Sequence, residues 1–281
     1  MNALQIENLS KCFDGFMLDH INLVLPSGCI MGLIGENGAG KSTLMKLIVN
    51  ILHKHSGTIT ILGRDNEEDL HITMEDVGVV LDEMGIPHYF TAEEIDEILG
   101  HSFRNWDSGE FERLMDVLEL PRDKCFKEFS QGMKMKMRLA IALAHKPKLL
   151  LLDEATNGLD PIVRDTIVQL LLDFTREEDH SVLISSHIVS DLEKLCDYVA
   201  FLHKGKLVLC QEKDELLSRY GLFRGTREQL QAYSPEAVCY VKESPYGVEA
   251  MVLRDSALFG ETLGPVNLEE IFLSIVKGEL K

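Results

Sequence analysis

The stretch Leu33–Thr43 reads LIGENGAGKST and follows directly on the apolar run CIMGLI. Gly35, Gly40, Lys41 and Ser42 fit the pattern G-x-x-x-x-G-K-[ST]. They stand in the setting that gives the pattern meaning: an apolar strand before the loop, then Leu44, Leu47, Ile48, Ile51 and Leu52 at helical spacing. Glycines there let the backbone curl so that successive N–H groups point inward, and the following helix adds its positive N-terminal end. The loop is therefore predicted to cradle phosphates, with Asn37, Gly38, Ala39 and Thr43 part of the same cradle. Lys41 is predicted to reach the β- and γ-phosphates of a nucleotide, and the Ser42 hydroxyl to ligate Mg²⁺.

The rest of the chain alternates strands and helices. HINLVL, CIMGLIG, TITILG, DVGVVL, KLLLLD, SVLISSH and YVAFLHKGKLVL read as strands, several apolar enough to be covered on both faces. Ile162, Val163, Thr166, Ile167, Leu170, Leu171 and Phe174 keep helical spacing after an Asp160-Pro161 start. From about 91 to 145 the pattern is helical throughout, opened by Thr91 and Glu94 as a capping box. The tail holds two weak strands, VCYVKE and GVEAMVLR, and a helix capped by Asn267 with Glu270. The predicted fold class is α/β: a P-loop NTPase (RecA-like) core with a β-rich N-terminal subdomain, an all-helical insertion at about 88–146 and a small α+β C-terminal appendix. Residues 1–215 are expected to form the nucleotide-binding domain and 216–281 the appendix.

With 281 residues, 45% of them hydrophobic, the chain can bury a sizeable core. Its formal net charge of -18 opposes sequence-independent binding to nucleic acid or anionic lipid, both of which need a surplus of Lys and Arg. Six cysteines lie far apart without a CxxC pair, so they are expected to be reduced and mostly buried thiols of a cytosolic protein. The start MNALQIENLSKCF lacks a charged region followed by an apolar one, and no apolar run approaches a bilayer span; no segment is expected to cross a membrane.

LLLLDE, residues 149–154, is an apolar strand ending in two acids, as expected where a carboxylate must face Mg²⁺ beside a P-loop. Asp153 is the candidate metal carboxylate and Glu154 the candidate base for the attacking water. FSQGM at 129–133, then LLLLDEATNGLDP, then His187 in LISSH, resembles the ordered motif set of the ATP-binding cassette (ABC) ATPases, and the resemblance covers about residues 1–210. The family signature is LSGGQ. Phe129, Gln131 and Met133 depart from it, while Ser130 and Gly132 are kept, with Ser130 placed as a helix N-cap.

The resemblance implies an ATPase using ATP and Mg²⁺. It implies that two such subunits face each other, identical or different, each closing its Ser130-Gln131-Gly132 loop on the nucleotide of the other. It places Asp160 at the dimer seam, His187 at the γ-phosphate, and Phe13 under the adenine. Where the family carries a glutamine after the strand DVGVVL, this chain has Asp82 and Glu83, and Asp82 is expected to take the metal-side role. The partner implied is an integral-membrane permease docked on the helical insertion, which places the subunit in the cytoplasm on the inner face of the membrane. Endings like NLEEIF and SxGM signatures resemble exporters of drugs or small peptides. An importer or lipid-transport subunit, and a soluble cassette ATPase acting on nucleic acid or ribosomes, are the alternatives.

Overall fold

The computed structural model describes residues 1–68, 70–81, 85–245, 247–257 and 262–277. The first strand, Asn2–Phe13, pairs antiparallel with Phe16–Pro26 across the two-residue turn Asp14-Gly15, where Gly15 has φ +83°. A left-handed residue there costs glycine nothing, and the tight turn sets Phe13 opposite Phe16. Asn2–Phe13 also pairs with Ser56–Ile61, which carries the short strand Arg64–Asp65. This antiparallel sheet is the β-rich subdomain.

Among the described residues the central sheet runs Lys206–Glu212, Tyr198–His203, Ile30–Ile34, Ser181–Ser186, Leu149–Asp153, Val77–Val80 in spatial order. All neighbours are parallel except the edge strand Lys206–Glu212. The continuous apolar runs are explained by the alternation of side chains along a strand. Ile30, Ile34, Leu150, Leu152, Val182 and Ile184 enter one core, shared with the helical insertion. Met31, Leu33, Leu149, Leu151 and Leu183 enter another, shared with the β-rich subdomain and the helix Lys41–Ile48.

The insertion holds the helices Ala92–Ser102, Ser108–Val117 and Gln131–Ala144, with no strand among its described residues. Thr91 accepts from the Glu94 amide while the Glu94 carboxylate accepts from the Thr91 amide at 2.9 Å, closing the capping box. Asp107 and Ser130 cap the next two helices by side-chain acceptance alone, from the amides of Glu110 and Met133.

The tail contains a three-stranded sheet, Tyr220–Gly225, Gly247–Leu253 and Val238–Ser244, where the sequence suggested two strands. Tyr220–Gly225 escapes notice because Gly221 and Gly225 weaken its strand character. Gly221 is fixed by close packing instead: a β-carbon there would lie 2.7 Å from Leu263. The helix Leu268–Val276 returns to the central sheet, with Phe272 edge-on to Phe201 at 5.5 Å and the Leu268 amide donating to Glu193 at 3.0 Å. The expectation of mostly buried cysteines fails. All six are free, and only Cys196 is buried, because most stand on edge strands or turns rather than on the central strands.

Candidate functional site

The carboxyl ends of Ile30–Ile34, Leu149–Asp153 and Ser181–Ser186 lie side by side. The glycine-rich loop leaves the first of them and ends at Gly40, which sits at φ +111° at the head of the helix Lys41–Ile48. A β-carbon on Gly40 would come within 2.7 Å of Leu18 and 2.8 Å of Phe16; one on Gly35 would come within 2.5 Å of the Leu202 carbonyl oxygen. Glycine is therefore demanded at Gly40 by both backbone conformation and packing, and at Gly35 by packing. The Gly205 amide donates to the Ala39 carbonyl at 3.0 Å and ties the loop to the neighbouring strand turn.

Lys41 is only 5% exposed. Its ammonium donates to the carbonyls of Gly35 at 2.8 Å and Glu36 at 3.4 Å, and it lies 3.1 Å from Glu154 Oε1. A buried ammonium needs such partners. The loop supplies them.

Asp153 is buried, and the Ser185 hydroxyl donates to its Oδ1 at 2.6 Å. The next residue, Glu154, adopts φ +52°, a conformation costing a non-glycine residue about 1–2 kcal/mol. Its amide donates to the Ser185 backbone carbonyl at 3.2 Å and to Ser185 Oγ at 3.0 Å, which fixes the turn. The Glu154 carboxylate then lies between two cationic or hydrogen-bonding groups, Lys41 at 3.1 Å and His187 Nδ1 at 2.7 Å.

Two adjoining clefts open here. One, of about 530 Å³, is lined by Asn37, Gly38, Lys41, Ser42, Thr43 and Glu154, with Phe16 at its edge. The other, of about 450 Å³, is lined by Ser42, Gln131, Asp153 and Glu154 together with residues of the helix Gln131–Ala144. Phe16 went unnoticed in the sequence, since an aromatic at the start of a strand, directly after a turn, looks like core. Phe13 stands beside it, ring centroids 6.3 Å apart, and is 38% exposed. Ser185 was also missed; its only signal was its place one strand-period before His187.

Ser130, Gly132, Asp160 and Phe13 line neither cleft. The Ser130 hydroxyl accepts from the Met133 amide at 3.2 Å, and the Asp160 carboxylate accepts from the amides of Ile162 and Val163 at 3.1 and 3.0 Å, so both side chains cap helices. Asp82 and Glu83 lie outside the described residues.

No cluster of three or more His, Cys, Asp and Glu able to hold a metal exists among the described residues. The Ser42 hydroxyl and the Asp153 carboxylate nevertheless face one cleft. One hydroxyl and one carboxylate suit a hard cation that keeps water and takes its remaining oxygens from phosphates, so the donor set fits Mg²⁺.

A phosphate cradle at the carboxyl end of a parallel sheet, beside a strand-end Asp-Glu pair, defines a P-loop nucleoside triphosphatase. The ABC transporter family model matches residues 18–157. The chain is 30% identical to the bacitracin transport ATP-binding protein of Enterococcus faecalis over 95% of its own length and 88% of the relative's. It is 35% identical to the lantibiotic transport ATP-binding protein of Streptococcus pyogenes, over 75% and 91%. Among solved structures it is similar to an ATP-binding subunit of an ABC transporter, with TM-score 0.70 and 25% identity over 76% of this chain and 91% of that one. The chain belongs to the ABC transporter family, as an ATP-binding subunit and an ATPase. Among its described residues no helix is long and apolar enough to cross a membrane.

Proposed function

We propose that this subunit pairs with a second nucleotide-binding subunit on ATP and drives a separate membrane permease that exports a drug or small peptide. The single observation that carries the chemistry is Glu154, gripped between Lys41 and His187 beside the buried Asp153. The loop from Gly35 to Thr43 wraps the triphosphate with its amides, the aromatic Phe13 stacks on adenine, and Ser42 with Asp153 holds Mg²⁺. Bound there, Mg²⁺ offsets negative charge on the phosphates. Arriving phosphate competes for the Lys41 ammonium and so releases Glu154, whose freed carboxylate takes a proton from the attacking water. His187, hydrogen-bonded to that carboxylate, holds it and the water in line with the γ-phosphate.

The Ser130-Gln131-Gly132 loop serves the nucleotide of the facing subunit, and Asp160 sits at the seam between the two. On this reading Asp82 adds a carboxylate on the metal side. Residues 1–215 form the nucleotide-binding domain and 216–281 an appendix. The permease docks on the insertion, where an apolar groove of about 290 Å³ runs between Ile86, Phe90, Ile95 and Leu99. That docking places the subunit on the cytoplasmic face of the membrane. Export of a drug or peptide is favoured by the similarity to bacitracin and lantibiotic transport proteins.

The test is sedimentation of the Glu154→Gln variant with ATP and Mg²⁺, alone and beside a membrane permease. A nucleotide-dependent pair is expected. Single subunits under both conditions would refute the reading.

A further inference from the structure

The strands Tyr198–His203 and Lys206–Glu212 are joined by Lys204 and Gly205, with His203 opposite Lys206. Both linking residues have left-handed φ, +46° and +77°, the two-residue turn that suits the twist of a hairpin. This turn abuts the phosphate loop, and Gly205 faces two ways. Its amide donates to the Ala39 carbonyl of that loop at 3.0 Å, and its own carbonyl accepts from the Asp19 amide at 2.9 Å. A β-carbon on Gly205 would lie 1.8 Å from the Met17 carbonyl oxygen, so backbone meets backbone and no side chain fits. Beside it the Lys206 ammonium lies 3.2 Å from Asp19 Oδ2, while Asp19 Oδ1 faces His20.

Met17 and Asp19 belong to the second strand of the first hairpin, where Met17 stands opposite Cys12, next to the pair Phe13 and Phe16. Gly205 therefore joins two structures that serve opposite ends of one ligand: the loop built for phosphates and the hairpin that carries the aromatic pair. The loop is braced on its own account, by the Lys41 bonds to Gly35 and Glu36 and by the Ala39 amide, which donates to the Glu36 carbonyl at 3.0 Å. What meets Gly40 from the hairpin is apolar, the side chains of Phe16 and Leu18, and apolar packing does not fix a distance as directional hydrogen bonds do. A ligand gripped at both ends gains the second contact only when the two seats stand at its own length.

We propose that Gly205, helped by the Lys206–Asp19 pair, sets the spacing between the base platform and the phosphate loop, and so lets this subunit distinguish a nucleoside triphosphate from triphosphate alone. Gly205 is a positioning residue, acting through Ala39 on one side and Asp19 on the other. The inference rests on reading the loop as the ATP site and the hairpin aromatics as the platform for the base.

The experiment titrates the full chain and its variants with ATP and with inorganic tripolyphosphate, each with Mg²⁺, at a protein concentration where sedimentation shows single subunits. Tripolyphosphate reads the loop alone; ATP reads loop and hairpin together. Gly205→Ala is expected to weaken ATP about tenfold, the share of one stacked base, and to leave tripolyphosphate within about twofold. Asp19→Lys and Lys206→Asp should each weaken ATP about twofold to fivefold, and the two exchanges combined should recover most of the loss. A merely structural role would lower both affinities alike and leave their ratio unmoved. Retained tripolyphosphate binding also shows that a variant folds; if Gly205→Ala does not fold, the charge exchanges decide. A ratio of ATP to tripolyphosphate affinity unchanged in Gly205→Ala, or in both single exchanges where that variant fails to fold, overturns the spacing role and leaves the ATP site standing. Failure of the unaltered chain to bind either probe overturns the underlying reading as well.

Discussion

His187 Nδ1 lies 2.7 Å from Glu154 Oε2, and the other oxygen of the same carboxylate lies 3.1 Å from the Lys41 ammonium. Glu154 is thus engaged at both oxygens, on a turn with left-handed φ, and each oxygen keeps a free lone pair with which the proposed base would take a proton from water. Replacing Glu154 with Gln keeps the shape and removes the base. ATP turnover should fall by about 10²- to 10⁴-fold while ATP binding persists. An ATPase assay beside equilibrium dialysis decides it; a rate within twofold of the unaltered chain removes Glu154 from the chemistry.

Ser185 serves Asp153 through its hydroxyl and Glu154 through both its hydroxyl and its backbone carbonyl. Ser185→Ala strands a buried carboxylate oxygen. A loss of about 1–3 kcal/mol in urea unfolding is expected, together with a lower ATPase rate. Equal stability of the two proteins would show that water replaces the hydroxyl.

The aromatic pair at the first hairpin separates two roles. Phe13→Ala should weaken ATP by about tenfold, with Phe13→Trp restoring it, since base stacking tolerates any large ring. Phe16 packs against the core and against Gly40, so Phe16→Ala should lower the melting temperature as well. ATP affinity unaffected by Phe13→Ala would leave Phe16 as the aromatic that borders the base.

Asp82 is argued from sequence, and its test is functional. Asp82→Ala should reduce the ATPase rate and its stimulation by the permease. If both stay the same, the metal-side role passes to another group.

His145 gives the pH dependence. The ring is buried between the carbonyls of Ile141 and Val77, at 3.4 and 3.2 Å, and stacks on Phe103 at 4.4 Å. Burial pushes its pKa below the ordinary histidine value, against the weaker pull of those carbonyls and of Glu75 and Asp76. The unfolded chain therefore binds the proton first as pH falls. The stability His145 contributes is full above the ordinary histidine pKa and is lost as pH drops toward the folded one. Melting temperatures at pH 7.5 and 5.5 should differ more for the unaltered chain than for His145→Gln. Equal differences would rule the imidazole out.

What could be seen in the sequence was whatever depends on local chemistry. The turn from Gly35 to Ser42 is written in its glycines, the buried strand Leu149–Asp153 in an unbroken apolar run, and the helix starts at Thr91, Ser130 and Asp160 in their caps. What stayed hidden depends on partners far along the chain. Ser185 matters because its strand is parallel to Leu149–Asp153 and in register with Asp153. Gly205 looks like any turn glycine until the fold brings Met17 and Ala39 against it. Tyr220–Gly225 exists as a strand only because Gly247–Leu253 pairs with it.

The return of the final helix to the central sheet bears on how the polypeptide tolerates shortening. Phe272, Leu268 and Ile271 share a core with Phe201, on the strand Tyr198–His203, and Leu192, on the helix Val189–Leu195 that follows His187. Trimming the chain to its first 215 residues would strip that cover and leave an oily scar, inviting clumping before any defect in ATP chemistry could be measured. Engineered fusions are better joined at the amino-terminal hairpin side.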